Sequence, residues 1–185
     1  MDRLSVVGGV PLTGTIHVSG AKNAALKLMA AALLTREPCV IRHMPRILDV
    51  VTMGRLLEGI GAKVEWTGPG EVRIEAPGAL QDEPPPELVR TMRASVQLMG
   101  PLLARTGRVR INQPGGCNIG ERPLDLHLQG LQAMGATLAQ EGEFFALRAR
   151  RLHGAEIVLD FPSVGATENL MMAATLAEGT TIIAN

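Results

Sequence analysis

The chain has 185 residues, of which 46% are hydrophobic and 2% aromatic, and its 18 Lys and Arg residues balance its 18 Asp and Glu residues. This apolar content is ample for a core, and a net charge of zero provides no polybasic surface for nucleic acid or anionic lipid. No apolar run reaches the roughly 18 residues that a membrane span needs, and the start lacks the pattern of a signal peptide. We therefore expect a soluble, cytoplasmic globular protein with no nucleic acid and no membrane among its partners.

Near the start, the segment from Val18 to Leu26 predicts a strand, a tight turn and an alanine-rich helix. Lys22 and Asn23 would stand at the N-terminus of this helix. Free backbone N–H groups and the helix dipole favour an anion there, and the lysine adds a full charge. The alternative is a solvated lysine beside an asparagine cap.

Two sequence elements recur along the chain. Residues 32–41 reappear as 102–111, offset by 70, and as 174–183, offset by 142, while residues 57–64 reappear as 131–138, offset by 74. The first element predicts the end of a helix, a turn and a strand. The second predicts a helix that is closed by glycine and leads into a strand.

The recurring elements predict an α/β fold made of similar units. Turn sequences at 67–70 and 140–142 are each followed by a further strand, which predicts two hairpins. The unit is then strand, helix, strand, helix and hairpin, with copies at about 14–78, 86–150 and 154–185. The third copy stops before its second helix and hairpin, so we expect a chain that is cut short.

The two cysteines lie in different surroundings. Cys39 belongs to an apolar, strand-like run and is predicted to lie in the core. Cys117 lies in the glycine loop 114–120, close to Arg122, and a thiol near a fixed positive charge ionises more easily. A glycine turn that merely contains a cysteine is the alternative. Neither the cysteines nor the four histidines show the spacing of metal ligands.

Two further candidates for binding an anion follow along the chain. Arg93 interrupts a predicted apolar helix that runs to Leu103, and it needs an anionic partner or a route to water. The segment 160–166 stands at the same strand-to-helix junction of its unit as Lys22 does in the first. Ser163 either caps the helix there or contacts a ligand, since ligands of α/β units collect at such junctions.

Together these motifs resemble those of the enolpyruvyl transferases. The resemblance is carried by Ser19–Ala25, Thr91–Ser95, Pro114–Gly120 with Arg122–His127, and Ser163–Thr167. It covers the whole chain, and the loop around Cys117 favours the branch that acts on UDP-N-acetylglucosamine over the branch that acts on shikimate 3-phosphate. It implies an inside-out α/β barrel of βαβαββ units, with helices inside, sheets outside and the third unit incomplete.

The resemblance also implies how the chain is divided. Members of this family have two such domains with the ligands in the cleft between them. By this comparison, residues 1–21 are N-terminal strands that belong mostly to the second domain, and 22–185 are an incomplete first domain. The missing C-terminal half would carry an aspartate base and further arginines, so a complete site needs it.

The implied reaction transfers the enolpyruvyl group of phosphoenolpyruvate to the 3'-hydroxyl of UDP-N-acetylglucosamine and releases phosphate, without a cofactor or metal. Cys117 would donate the proton and be able to form a covalent link to the substrate. Lys22 and Arg122 would hold the phosphate and carboxylate groups, and Asn23 would help to orient them. The nucleotide sugar would contact Arg93, Arg122, Pro123, Leu124, Asp125, Leu126, Phe161, Pro162, Ser163 and Val164.

Four readings stay open at this stage. The chain alone is expected to be inactive, so it is either a fragment of a working transferase, or a half-protein that binds UDP-sugar without catalysis, or one subunit of a split enzyme. The branch that acts on shikimate 3-phosphate is the remaining alternative.

Overall fold

The computed structural model describes residues 3–115 and 124–185, and its first unit is a three-stranded antiparallel sheet packed on helices. The strand order is β1-β3-β2, and β2 and β3 form the first predicted hairpin. The elements are α1 (Lys22–Ala31), β1 (Cys39–Arg42), α2 (Leu48–Gly59), β2 (Lys63–Gly68) and β3 (Glu71–Glu75).

The second unit repeats this arrangement. Its sheet has the order β4-β6-β5, again antiparallel, and β5 and β6 form the second predicted hairpin. A 3-10 helix, Arg93–Leu98, precedes its longer helix. The elements are α3 (Pro86–Val89), α4 (Met99–Thr106), β4 (Arg108–Asn112), α5 (Asp125–Ala133), β5 (Thr137–Glu141) and β6 (Phe144–Arg148).

The third unit contains one helix between two parallel strands. These are β7 (Glu156–Val158), α6 (Val164–Ala174) and β8 (Ile182–Ala184). The helix α6 packs against α4 and α5 in the interior of the fold.

The predicted repeat is confirmed at the ends of α2 and α5. Gly61 and Gly135 follow these helices with φ angles of 97° and 95°, which residues with a side chain rarely adopt. The next amide then closes back onto the helix in both units, at 3.0 Å for Ala62 and 3.1 Å for Ala136. Glycine at this position ends each helix and directs the chain into the first strand of the hairpin.

The first strand of the repeating unit is formed only in the third unit among the described residues. Residues 3–21 contain no helix or strand, and apolar side chains such as Val18 are 89% exposed. In the second unit, Pro84–Pro86 lack the amide hydrogens that a ladder needs, and Pro86 instead begins α3. That residues 1–21 belong to a second domain stays a prediction.

The helix predicted from Arg93 to Leu103 is divided into two parts. The 3-10 helix ends at Leu98 and α4 begins at Met99. Pro101 explains the break, because proline has no N–H to donate to the carbonyl of Gln97 and its ring crowds that carbonyl. Gly107, with a φ of 76°, closes α4.

The core lies between the central helices and the inner faces of the sheets. Ala166, Leu170 and Ala173 of α6 are fully buried, so the fold has the helices inside and the sheets outside, as expected. Cys39 is half-buried on β1 and packs against the core. Within residues 3–115 and 124–185, no helix has both the length and the apolarity needed to cross a membrane.

Candidate functional site

A cavity of about 1150 Å³ opens where the N-termini of α1, α5 and α6 and the 3-10 helix meet. All three units of the fold contribute to its wall. Helix N-termini carry unsatisfied N–H groups and a partial positive charge, so their convergence favours an anionic ligand.

Most of the residues predicted to bind ligand line this cavity. They are Lys22, Asn23, Arg93, Asp125, Leu126, Phe161, Pro162, Ser163 and Val164. Leu124 is different, because it is 3% exposed and belongs to the hydrophobic core immediately before α5. Cys117, Arg122 and Pro123 lie outside the described residues, so the roles predicted for them stay predictions.

Lys22 stands at the start of α1, as predicted, and forms an ion pair that the sequence did not indicate. Its Nζ lies 2.8 Å from Oδ2 of Asp49, in the first turn of α2. The helix cap is Ala21, which has no side chain to cap with, so Asn23 is not an asparagine cap. Because Asp49 is far from Lys22 in sequence, no local pattern linked the two residues.

The N-terminus of α6 forms another part of the cavity wall. Ser163 is the cap of this helix, and its hydroxyl accepts a hydrogen bond of 3.3 Å from the amide of Ala166. Phe161 and Val164 are 70% and 73% exposed, and both line the cavity. Both readings of Ser163 are therefore compatible with the structure, since it caps α6 and also lines the cavity.

A buried histidine lies between α6 and the 3-10 helix. His127, on α5, is 6% exposed and lines the cavity. Burial, followed by the nearby charge of Arg93, lowers the pKa of His127 from 6.5 to about 4. The ring is therefore neutral at physiological pH.

Two further polar residues of the cavity, Lys27 and Gln97, were missed by the sequence analysis. Lys27 joins α1 to α6 through an ion pair of 2.9 Å with Glu168, and Gln97 donates a hydrogen bond of 2.9 Å to the carbonyl of Gly165. Asp160 also lines the cavity. Only Gln97 had a usable signal, because it follows Arg93 by about one helical turn.

The cavity can hold an anionic ligand between cationic side chains and helix N-termini. Lys22, Lys27 and Arg93 line it, together with the first turns of α1 and α6. Among the residues that the structure describes, no group of three or more His, Cys, Asp or Glu side chains is placed to hold a metal ion.

Comparison with known families gives this cavity a context. Residues 6–185 match the family model described as EPSP synthase (3-phosphoshikimate 1-carboxyvinyltransferase). The chain belongs to this family. The EPSP synthase family match extends over almost the whole chain, including every element that lines the cavity.

This chain is similar to curated proteins that carry a more specific name. It is 52% identical over 185 residues to UDP-N-acetylglucosamine 1-carboxyvinyltransferase of Desulfovibrio desulfuricans, covering 100% of the chain and 44% of the relative. It is 55% identical over 190 residues to UDP-N-acetylglucosamine 1-carboxyvinyltransferase 1 of Symbiobacterium thermophilum, covering 100% of the chain and 43% of the relative. The chain thus spans less than half the length of these relatives.

Solved structures agree on the fold. The enolpyruvyl transferase NikO from Streptomyces tendae is similar with a TM-score of 0.80 and 23% identity, over 95% of this chain and 41% of that protein. EPSP synthase from Acinetobacter baumannii is similar with a TM-score of 0.72 and 19% identity, over 92% and 40%. At this identity the likeness shows the fold alone, and it confirms the predicted enolpyruvyl transferase architecture.

Proposed function

We propose that this chain forms part of an enzyme that transfers the enolpyruvyl group of phosphoenolpyruvate to the 3'-hydroxyl of UDP-N-acetylglucosamine. Phosphate is released, and the reaction is the first committed step of peptidoglycan synthesis. The observation that carries the proposal is the single cavity in which nine of the predicted ligand-binding residues meet. A cytoplasmic location is part of the same proposal.

The chemistry proceeds by addition and elimination. In the addition, carbon 3 of phosphoenolpyruvate takes a proton while the sugar hydroxyl attacks carbon 2 and loses its own proton to a base. In the elimination, carbon 3 gives up a proton and the bond between carbon 2 and the phosphate oxygen breaks. A positioned proton donor and several cations are therefore required.

The residues of this chain take separate roles in that scheme. Cys117 is the proton donor to carbon 3 and the residue that can link covalently to the substrate. Lys22 and Arg122 hold the phosphate and carboxylate of phosphoenolpyruvate, and Asn23 helps to orient these groups. Arg93 and the segments 122–126 and 161–164 hold the nucleotide sugar.

A base for the sugar hydroxyl and further arginines come from outside this chain in the proposal. The chain covers 44% of the Desulfovibrio relative, and in the proposal a complete cleft needs a second domain, to which residues 1–21 mostly belong. Residues 22–185 supply the first domain. If no second half is joined to this chain, the proposal takes one of two forms. The chain is then a half-protein that binds UDP-sugar without catalysis, or one subunit of a split enzyme.

Transfer to shikimate 3-phosphate is the second candidate, because the matching family model carries the name of that enzyme. The identities favour the first candidate. The chain is 52% identical to a relative named for UDP-N-acetylglucosamine and 19% identical to a solved EPSP synthase.

The test is phosphate release by a chimaera in which this chain is completed with the C-terminal part of the Desulfovibrio relative. We expect release from phosphoenolpyruvate with UDP-N-acetylglucosamine as acceptor and none with shikimate 3-phosphate. Arg93→Ala should raise the KM for the sugar nucleotide, whereas Arg55→Ala, at an exposed position of α2 away from the cavity, should not. Release with shikimate 3-phosphate alone would refute the proposal, and activity of the 185-residue chain by itself would contradict the need for a second half.

A further inference from the structure

A buried asparagine connects three helices behind the cavity. Asn169 of α6 is fully buried, and its Oδ1 accepts a hydrogen bond of 2.8 Å from the amide of Gly100 in α4. Its Nδ2 lies 3.1 Å from Nδ1 of His127 in α5. The asparagine does not itself line the cavity, but the histidine does.

The bond to Gly100 determines which way the amide of Asn169 faces. A backbone N–H can only donate, so the atom opposite it must be the carbonyl oxygen. The NH₂ group of Asn169 therefore faces His127 and donates, which leaves Nδ1 of His127 as an acceptor. A neutral imidazole that accepts at Nδ1 carries its proton at Nε2.

The protonated nitrogen lies beside the N-terminus of α6. A Cβ atom built on Gly165 would lie 3.8 Å from both Nε2 and Cε1 of His127, so the edge of the ring reaches the first turn of that helix. In the described part of the chain, Asn169 is the one hydrogen-bond partner of the ring. The Nε2–H group can therefore serve a ligand in the cavity.

A neutral donor suits this position. Arg93 and the amides of α6 already make the surroundings positive, and burial together with Arg93 disfavours a charge on the ring. A neutral N–H adds a directed hydrogen bond without adding repulsion between cations.

We propose that Asn169 is a positioning residue that holds His127 as its Nε2–H tautomer, so that the ring donates a hydrogen bond to an oxygen of the bound nucleotide sugar. The proposal rests on the proposed function for the identity of the ligand. The tautomer itself is a property of the chain without ligand.

The first test is a long-range ¹H–¹⁵N NMR spectrum of the histidine rings in the 185-residue chain at neutral pH. We expect the pattern of a neutral Nε2–H ring for His127, and a change in its signals when UDP-N-acetylglucosamine is added. An Nδ1–H ring in the unliganded chain would overturn the inference even if the sugar nucleotide binds. An Nε2–H ring whose signals stay unchanged when the chimaera completed with the Desulfovibrio C-terminal part binds UDP-N-acetylglucosamine would overturn the ligand part of the inference and leave the proposed function standing.

Variants separate a positioning role from a purely structural one. Asn169→Asp keeps an acceptor for Gly100 but presents a carboxylate to the ring, which draws the proton to Nδ1. At pH 8 we expect the neutral Nδ1–H pattern and an affinity for UDP-N-acetylglucosamine about tenfold lower, equivalent to about 1.4 kcal/mol. Unchanged affinity with the altered tautomer would refute the donor role.

Controls keep the result interpretable if Asn169→Asp folds poorly. Asn112→Asp changes another buried asparagine, 1% exposed on β4 and outside the cavity, and should leave affinity unchanged. His127→Gln retains a side-chain N–H donor and should bind within about threefold of the unmodified chain, whereas His127→Phe should lose about tenfold. Equal binding by the glutamine and phenylalanine variants would contradict the inference.

Discussion

Replacing Gly100 by alanine measures how closely α4 and α6 approach each other in the core. A Cβ atom at this position would lie 2.7 Å from Oδ1 of Asn169 and closer still to its backbone oxygen, whereas ordinary contacts begin at 3.4 Å. One helix must therefore move by about 1 Å to relieve the backbone contact, in an interior that is packed as densely as a crystal.

Two effects of Gly100→Ala lower the free energy of unfolding, and one smaller effect raises it. Overpacking costs about 1–3 kcal/mol, and weakening the bond from the Gly100 amide to Asn169 costs about 1 kcal/mol or more. Alanine in a helix gains about 0.5–1 kcal/mol over glycine. We expect Gly100→Ala to lower the free energy of unfolding by about 1–3.5 kcal/mol, measured by urea denaturation of the 185-residue chain.

Gly54→Ala is the matched control, since Gly54 also lies within a helix. A Cβ atom there would meet Cγ1 of Val64 at 3.5 Å, which is ordinary contact. We expect this variant to be unchanged or stabilised by up to about 1 kcal/mol. If Gly100→Ala proved as stable as Gly54→Ala, the close packing of α4 against α6 would be wrong.

Three further predictions concern charged and titratable groups. The pKa of His127 falls from 6.5 to about 4 on folding, so its contribution to the free energy of unfolding is complete above pH 6.5 and should decrease by about 3 kcal/mol as the pH falls to 4. Urea denaturation at several pH values should show this decrease, and His127→Gln should reduce it. Arg105 donates hydrogen bonds to the carbonyls of Leu33, Thr35 and Ala76, so Arg105→Ala should destabilise the chain by about 2 kcal/mol or more in the same assay, and a loss under 0.5 kcal/mol would contradict this role. Asp49→Asn removes the exposed partner of Lys22 and should change stability by less than about 1 kcal/mol, so a larger loss would show that the ion pair is structural.

Much of the fold could be predicted because its signals are local. The two helix ends depend on Gly61 and Gly135, which recur with an offset of 74, and the two hairpin turns contain Gly70 and Gly142, so each turn is determined by a few adjacent residues. The repeat predicts a first strand in every unit, and it gave no sign that the described residues of the first two units would lack that strand. A strand near Val18 needs a pairing partner, and the Pro84–Pro86 segment cannot offer amide hydrogens where the repeat expects a strand.

The cavity was predictable in its residues but not in its contacts. Lys22 and Ser163 were found from their positions at helix starts, and Arg93 was found because it places a charge in an apolar helix, signals that the local sequence carries. The bond from Asn169 to Gly100 joins residues 69 positions apart, and the bond from Asn169 to His127 joins residues 42 apart. Such partners are set by the packing of helices, so no local pattern marks them.

Treating the completed chimaera with an epoxide analogue of phosphoenolpyruvate, followed by peptide mass spectrometry, tests most directly whether Cys117 is the reactive thiol of an enolpyruvyl transferase. We predict that Cys117 carries the adduct and that Cys39, half-buried on β1, does not. An adduct on Cys39 with Cys117 unmodified would contradict the assignment of the proton donor and with it the proposed mechanism.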